Sequence, residues 1–211
     1  MCELAIKHRA KLLFTSTSEV YGDPKVSPQS ESYRGNVSTT GPRAVYDESK
    51  RFGETIVSAF VRNKNLNGRI TRIFNTYGPK MNPNEGRAVV NFIKQAIKNE
   101  SIAIYGDGSQ TRSFCYADDE VEGLILAMEK GKSGEVYNIG NDREMSILVF
   151  AKLIKKLTGS KSQIIFEPLP EDDPAQRKPD IKKAKKTLGW YPKIALEKGL
   201  LKTIQYFRKI Q

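Results

Sequence analysis

Two short apolar runs, Leu12-Leu-Phe14 and Arg69-Ile-Thr-Arg-Ile-Phe74, bracket a helical pattern that extends from about Val45 to Asn63. A strand, a long helix and a second strand in that order constrain the chain to an α/β architecture with a mostly parallel sheet. The spacing predicts the first strand at residues 12–16 and a helix whose apolar face is supplied by Phe52, Ile56, Phe60 and Val61. Between them runs a long polar loop containing Gly22-Asp-Pro24 and Gly41-Pro42. The second strand ends in Asn75-Thr-Tyr-Gly-Pro79. Its end should face a site, because ligands of open α/β sheets gather outside the carboxyl ends of the strands.

Beyond Pro79 the elements shorten. The pattern predicts a helix from Ala88 to about Lys98, a strand at Ile102–Tyr105, a glycine-rich turn, a strand near Phe114 and a helix over Glu120–Glu129. A strand at Val136–Ile139, a helix at about Ser146–Leu157 and a strand at Ile164–Phe166 follow. The acidic, proline-rich stretch Pro168–Pro179 reads as an ordered loop, and two helices end the chain. There is no internal repeat. The fold class expected is the C-terminal portion of a Rossmann-type parallel sheet plus a smaller α/β substrate-binding lobe. Residues 1–80 form the incomplete nucleotide-binding part, and residues 81–211 are mainly the lobe, with some segments returning to the sheet.

Composition narrows the function classes. No apolar run approaches the ~20 residues needed to span a bilayer, and the start, Met1-Cys-Glu-Leu-Ala-Ile-Lys-His8, does not resemble a signal peptide. These features point to a cytoplasmic protein without membrane partners. Cys2 and Cys115 lie far apart and His8 is the one histidine, so neither a disulfide framework nor a zinc site is expected. The net charge of +11 raises a nucleic-acid reading around Ile181-Lys-Lys-Ala-Lys-Lys186. Those lysines share a helical pattern with Ala184 and Leu188 and lack interleaved aromatics, which favours a solvated helix face. An anionic small substrate also suits a basic chain.

Tyr46 and Lys50, in Val45-Tyr-Asp-Glu-Ser-Lys50, are one helical turn apart, so their side chains lie one above the other. A free phenol titrates near ~10, and making it a base near neutrality takes about 4 kcal/mol of differential charge stabilisation. The Lys50 ammonium, helped by a cationic cofactor, is a source of that stabilisation. The hydroxyl of Thr17 or Ser18, at the mouth of the first strand, would hold a substrate alcohol against the phenolate.

The segments Thr17-Ser-Glu-Val-Tyr-Gly-Asp-Pro24, Gly41-Pro-Arg43, Tyr46-Asp-Glu-Ser-Lys-Arg51 and Arg72-Ile-Phe-Asn-Thr-Tyr-Gly-Pro79 together resemble the UDP-glucuronate decarboxylases. These form a branch of the extended short-chain dehydrogenase/reductases. The similarity continues through Gly86-Arg87, Tyr105-Gly-Asp-Gly-Ser-Gln-Thr-Arg-Ser-Phe114, Tyr137-Asn-Ile-Gly140, Glu171-Asp-Asp-Pro174, Gln176-Arg-Lys-Pro-Asp180 and Leu188-Gly-Trp190. It covers essentially the whole chain. Related sugar-nucleotide epimerases and dehydratases share Tyr-x-x-x-Lys but usually differ around Glu19 and Arg177.

The resemblance implies NAD as cofactor and a UDP-sugar as substrate. NAD⁺ oxidises the C4 hydroxyl of UDP-glucuronate, the resulting β-keto acid loses CO₂, C5 is reprotonated, and the same cofactor returns its hydride to C4. Tyr46 is then the base, Lys50 its companion and a ribose contact, and Thr17 a hydrogen-bond partner of the sugar hydroxyl. Glu19 stands near C5 to order a water or steer the carboxylate; its plainer role is to cap a loop or pair with a nearby arginine. Arg177 stands near the substrate carboxylate; otherwise it is an exposed loop arginine beside Lys178. Thr76 and Arg87 are implied cofactor contacts, and Ser18, Asn75, Asn91, Tyr105 and Arg112 implied substrate contacts, although Tyr105 and Phe92 would equally serve as packing.

One part of the family pattern is missing. No Gly-x-Gly-x-x-Gly or Gly-x-x-Gly-x-x-Gly follows a strand near the N-terminus, where family members carry roughly a hundred further residues with that turn. The expectation is a C-terminal two-thirds of the enzyme, with an unpaired edge at the strand of residues 12–16. Such a chain would bind NAD feebly and UDP-sugars better. Its alternatives are a related 4-epimerase or 4,6-dehydratase, or a catalytically silent UDP-sugar-binding fragment. Family members pair as homodimers through the catalytic helix and the one before it, of which residues 1–9 are what this chain retains.

Overall fold

The computed structural model describes residues 1–170 and 174–210. The Glu171-Asp-Asp173 part of the acidic stretch lies outside the described residues. A short helix α1 (Cys2–Lys7) leads into β1 (Leu12–Thr17), a 3₁₀ turn at Ser18–Tyr21 and the long helix α2 (Ala44–Lys64). Asn65, left-handed at φ 54°, ends α2. Then come β2 (Gly68–Ile73), β3 (Thr76–Tyr77), α3 (Ala88–Ile97), β4 (Ile102–Tyr105), β5 (Thr111–Ser113), β6 (Cys115–Tyr116) and α4 (Ala117–Lys130). The chain continues through β7 (Val136–Ile139), β8 (Glu144–Ser146), α5 (Ile147–Thr158), β9 (Ile164–Glu167), β10 (Gln176–Arg177), α6 (Lys182–Leu188) and α7 (Leu196–Ile210).

The central sheet runs β1-β2-β7, all parallel, with Thr17 opposite Ile73 and Ile73 opposite Ile139. The carboxyl ends of the three strands are therefore level, and the loops leaving them converge on one edge. Among the described residues β1 pairs with β2 alone. Smaller pairings complete the molecule: β3 with β6, β4 with β9, and β10-β5-β8. β10 is a two-residue strand inside the stretch expected to be loop. α4 begins three residues before its expected start, at Ala117, directly after β6.

Four apolar clusters among the described residues hold these layers. The largest joins α3, α5 and α7 over β4, with the Phe114 and Phe150 rings stacked 4.1 Å between centroids. A second surrounds Trp190, whose indole Nε1 donates to the Asp119 carbonyl at 2.8 Å, satisfying the polar atom of a fully buried ring. Ala184 and Leu188 of α6 belong to it, leaving the lysines of that helix on the outside, where Lys183 and Lys185 pair with Glu135 and Asp142. No helix among the described residues is long and apolar enough to cross a membrane.

The expected apolar face of α2 needs correction. Val57 is the large apolar residue it buries, flanked by Phe60 and Val61, whereas Phe52 is 66% exposed and Ile56 is also exposed. The cause is Gly53, which faces the sheet so closely that a Cβ there would collide with the Phe14 ring. With Gly53 inward, Phe52 is turned outward. Gly53→Val should therefore cost about 1–3 kcal/mol of stability by overpacking, read as a lower urea midpoint with an unchanged slope.

Candidate active site

The site is assembled at the carboxyl ends of β1 and β2, where the first turns of α2 pass over them. Lys50 Nζ donates to the Thr15 carbonyl at 3.0 Å and stands 5.8 Å from the centre of the Tyr46 ring. That anchor fixes the ammonium on the Tyr46 face of α2. Tyr46 is 52% exposed, and its hydroxyl has no hydrogen-bond partner among the described residues. Both side chains open on a cavity of about 450 Å³ whose wall includes Thr17, Ser18, Glu19, Asn75, Thr76 and Arg87.

A second cavity of about 360 Å³ lies between α3, β4 and β5. Asn91, Tyr105 and Arg112 line it, with Phe92 at its wall and Gln110 beside Tyr105. Glu19, Arg43, Asn75, Thr76 and Arg87 are common to both cavities and mark their junction. A ligand with a reactive head and a long anionic tail can thus occupy both.

Glu19 is the most constrained group at the junction. Arg43 Nη2 donates to its Oε2 at 2.5 Å, and Arg177 Nη1 donates to its Oε1. Arg177 is only 3% exposed, and its Nη2 also donates to the Gly22 carbonyl at 3.1 Å. The exposed-loop reading of Arg177 is therefore overturned: β10 carries it into the interior. Burial alone would raise the Glu19 carboxyl, but the two guanidinium groups outweigh it and hold that carboxyl below the usual carboxylate range. The pairing of Glu19 with arginine, weighed as its plainer role, is present, and it places the carboxylate at the cavity junction.

The remaining expected residues are placed as follows. Thr17 Oγ1 accepts from the Glu19 amide at 3.3 Å, capping the 3₁₀ turn and leaving its hydroxyl hydrogen to donate. Arg87 is held by Glu85 at 2.9 and 3.0 Å and donates to the Thr76 carbonyl at 3.2 Å. Thr76 Oγ1 donates to Phe74 O, Asn91 Nδ2 to Gly86 O, and Arg112 Nη1 to Thr111 O. Asn75 Nδ2 is buried without a partner among the described residues, a donor left for something that fills the junction. Tyr105 is exposed rather than packed, while Phe92 is buried in the α3–α5 cluster.

Two residues escaped the sequence reading. Arg43 reaches the junction from the residue just before α2, and the motif Gly41-Pro-Arg43, three residues ahead of Tyr46, was the available signal. Asp47, next to Tyr46, is 5% exposed, and nothing in its local pattern marks it as buried. No group of three or more His, Cys, Asp or Glu side chains among the described residues is arranged to hold a metal ion.

This geometry can be compared with known proteins. The chain is 53% identical over 209 residues to UDP-glucuronic acid decarboxylase 1 of Xenopus tropicalis, covering 99% of this chain and 49% of the relative. It is 50% identical over 200 residues to UDP-glucuronic acid decarboxylase 6 of Arabidopsis thaliana, covering 95% and 58%. The chain thus spans about half the length of the relatives it matches. Among solved structures, a UDP-glucose 4-epimerase from Thermotoga maritima with UDP-glucose superposes at TM-score 0.91, with 35% identity, over 99% of this chain and 67% of that one. A UDP-glucuronic acid 4-epimerase from Bacillus cereus in complex with UDP-glucuronic acid and NAD superposes at 0.81, with 32% identity, over 95% and 62%. These neighbours share the Rossmann-type α/β arrangement of β1, β2 and β7. The model of the NAD dependent epimerase/dehydratase family matches residues 1–140, the segment that contributes both Tyr46 and the strand ends beneath it, and the chain belongs to that family.

Proposed function

We propose that this chain supplies the catalytic helix and the sugar-nucleotide cavity of a UDP-glucuronate decarboxylase that forms UDP-xylose through a 4-keto sugar. The observation that carries this reading is the junction: the Tyr46–Lys50 cavity meets the second cavity at a carboxylate, Glu19, held between Arg43 and Arg177. The relatives named as UDP-glucuronic acid decarboxylases, at about half identity over nearly the whole chain, support the choice of reaction. In this division of the chain, residues 1–80 serve the cofactor side, and residues 81–211 mainly the substrate side, with β7 returning to the β1-β2 sheet.

The residues fit the nicotinamide end of NAD. Lys50 and Arg87 flank the cavity, and the unpartnered Asn75 amide faces the junction. The 211 residues carry no glycine-rich turn for the pyrophosphate, and the relatives' additional length leaves room for one. NAD, when bound, supplies reversible hydride acceptance at C4. Tyr46 takes the C4 hydroxyl proton and later returns it, with the Lys50 ammonium beside its ring while that happens. Thr17 donates to the sugar oxygen and keeps it in line with Tyr46. Arg43, Arg177 and Glu19 form a polar floor against which the C5 carboxylate is oriented. Asn91, Tyr105 and Arg112 receive the uridine diphosphate, with the Arg112 guanidinium suited to phosphate oxygens. Pairing of two copies through α2, whose Val45 and Phe52 are exposed, belongs to the same proposal.

Calorimetric titration of this chain with UDP and, separately, with NAD⁺ tests the division of labour. UDP should bind, Arg112→Ala should weaken it about 10-fold or more, and NAD⁺ should bind feebly. Tight NAD⁺ binding by these 211 residues would contradict the reading. The 4-epimerase reading keeps the same fold and is favoured by the structural neighbours; carboxyl-labelled UDP-glucuronate separates the two, because only the decarboxylase releases labelled CO₂.

A further inference from the structure

Decarboxylation consumes a proton that the residues assigned above do not provide. Loss of CO₂ from the 4-keto uronate breaks the C5–C6 bond and leaves its electron pair in a C5–C4–O enolate, so C5 must then take a proton. The proton that Tyr46 removes from the C4 hydroxyl returns to the C4 oxygen on reduction. One further proton per turnover has to come from water.

A third cavity, of about 280 Å³, lies behind the Glu19 clamp. Arg43 and Arg177 are shared between it and the sugar-nucleotide cavity, so these two side chains form the partition. Gly22, Asp23, Asn36 and Ser38 form its outer wall, and Asp47 its inner one. The Asp47 Oδ1 is buried and has no hydrogen-bond partner among the described residues, although the cavity beside it is polar and large enough for ordered water. A buried carboxylate oxygen without a partner is costly unless water or a proton satisfies it.

We propose, on the decarboxylase reading, that Asp47 relays solvent protons from this cavity past Arg43 and Arg177 to the water at Glu19 that protonates C5. The groups facing Asp47 are consistent with that task. Glu19 of the 3₁₀ turn and Glu48 of its own helix oppose its ionisation, while Arg43 at the start of α2 and Arg177 of β10 favour it; Asp23 lines the same cavity. Burial, followed by the Glu19 charge, prevails and raises the Asp47 carboxyl above the usual carboxylate range, so that it can hold a proton closer to neutrality. Arg43, partly exposed, is the less buried half of the partition. Asp47 touches neither substrate nor cofactor in this scheme and acts through water.

Single turnovers of the NAD-loaded full-length protein with UDP-glucuronate, followed at the absorbance of NADH, test the relay. NADH should appear at the same rate in Asp47→Asn as in the unmodified protein, but its decay, which awaits C5 protonation, should slow about 10- to 100-fold. Asp47→Glu should keep the decay within about 3-fold, and formate should restore it in Asp47→Ala. Decay in Asp47→Asn within about 2-fold of the unmodified protein, or equal slowing in Asp47→Glu and Asp47→Asn, would overturn the relay. Failure of the unmodified protein to release labelled CO₂ from carboxyl-labelled UDP-glucuronate would instead sink the decarboxylase reading itself.

Discussion

Tyr46→Phe should lower UDP-glucuronate turnover by about 10²- to 10⁴-fold in the NAD-loaded full-length protein while leaving UDP affinity within about 2-fold. The substitution removes one oxygen that has no hydrogen-bond partner among the described residues, from a side chain that is half exposed. Folding should not register the loss. The ring remains above the Lys50 ammonium, and Lys50 keeps its bond to the Thr15 carbonyl. What disappears is the group that takes and returns the C4 proton, so the defect belongs in the chemical step. A pre-steady-state assay should accordingly show no NADH formation, unlike the Asp47 variants. Turnover within a few-fold of the unmodified protein would remove Tyr46 from the catalytic residues.

The second large effect is on stability as well as chemistry. Glu19→Ala strands Arg177, a guanidinium that is 3% exposed, with the Gly22 carbonyl as its remaining acceptor among the described residues. Removing one partner of a buried pair leaves the other charge uncompensated, which costs about 3–5 kcal/mol. For a chain of this length that lowers Tm by roughly 6–20 °C. Glu19→Gln should recover part of the loss, because its amide oxygen can still accept from Arg177. The pH dependence has a definite sign. The folded-state Glu19 carboxyl is held below its ordinary value, so its contribution is fully present above about pH 5 and is lost as acid titrates it below the free-glutamate range near ~4.3. Glu19→Ala should flatten that acid limb of the stability curve. In turnover, the same variant should impair CO₂ release more than UDP binding, since Asn91, Tyr105 and Arg112 are untouched.

How much of this was legible depends on whether a signal was local. Tyr46 and Lys50 share a helix face by spacing alone, and the β1, β2 and β7 runs are apolar enough to stand out as strands. The two-residue strands β3, β6 and β10 carry no periodicity, and their existence depends on partners brought together by the rest of the fold. The apolar face of α2 was misread because Phe52 and Ile56 are as hydrophobic as Phe60 and Val61. What orients the helix is the absence of a side chain at Gly53, which lets it close onto Phe14. Arg177 looked like a surface residue beside Lys178 until β10 delivered it to Glu19, 158 positions away. Arg43 and Asp47 were missed for the same reason: the Glu19 and Arg177 charges around them lie on the 3₁₀ turn and β10, and no pattern along α2 reports on them.

The central claim is that the Tyr46 cavity and the Glu19 clamp act on one substrate, oxidising C4 and releasing the C5 carboxyl. The most direct measurement is NMR of the product formed from UDP-glucuronate in D₂O by the NAD-loaded full-length protein. The account predicts UDP-xylose bearing deuterium at C5, with no uronic carboxyl remaining. Recovery of a 4-epimer with its carboxylate intact would contradict it.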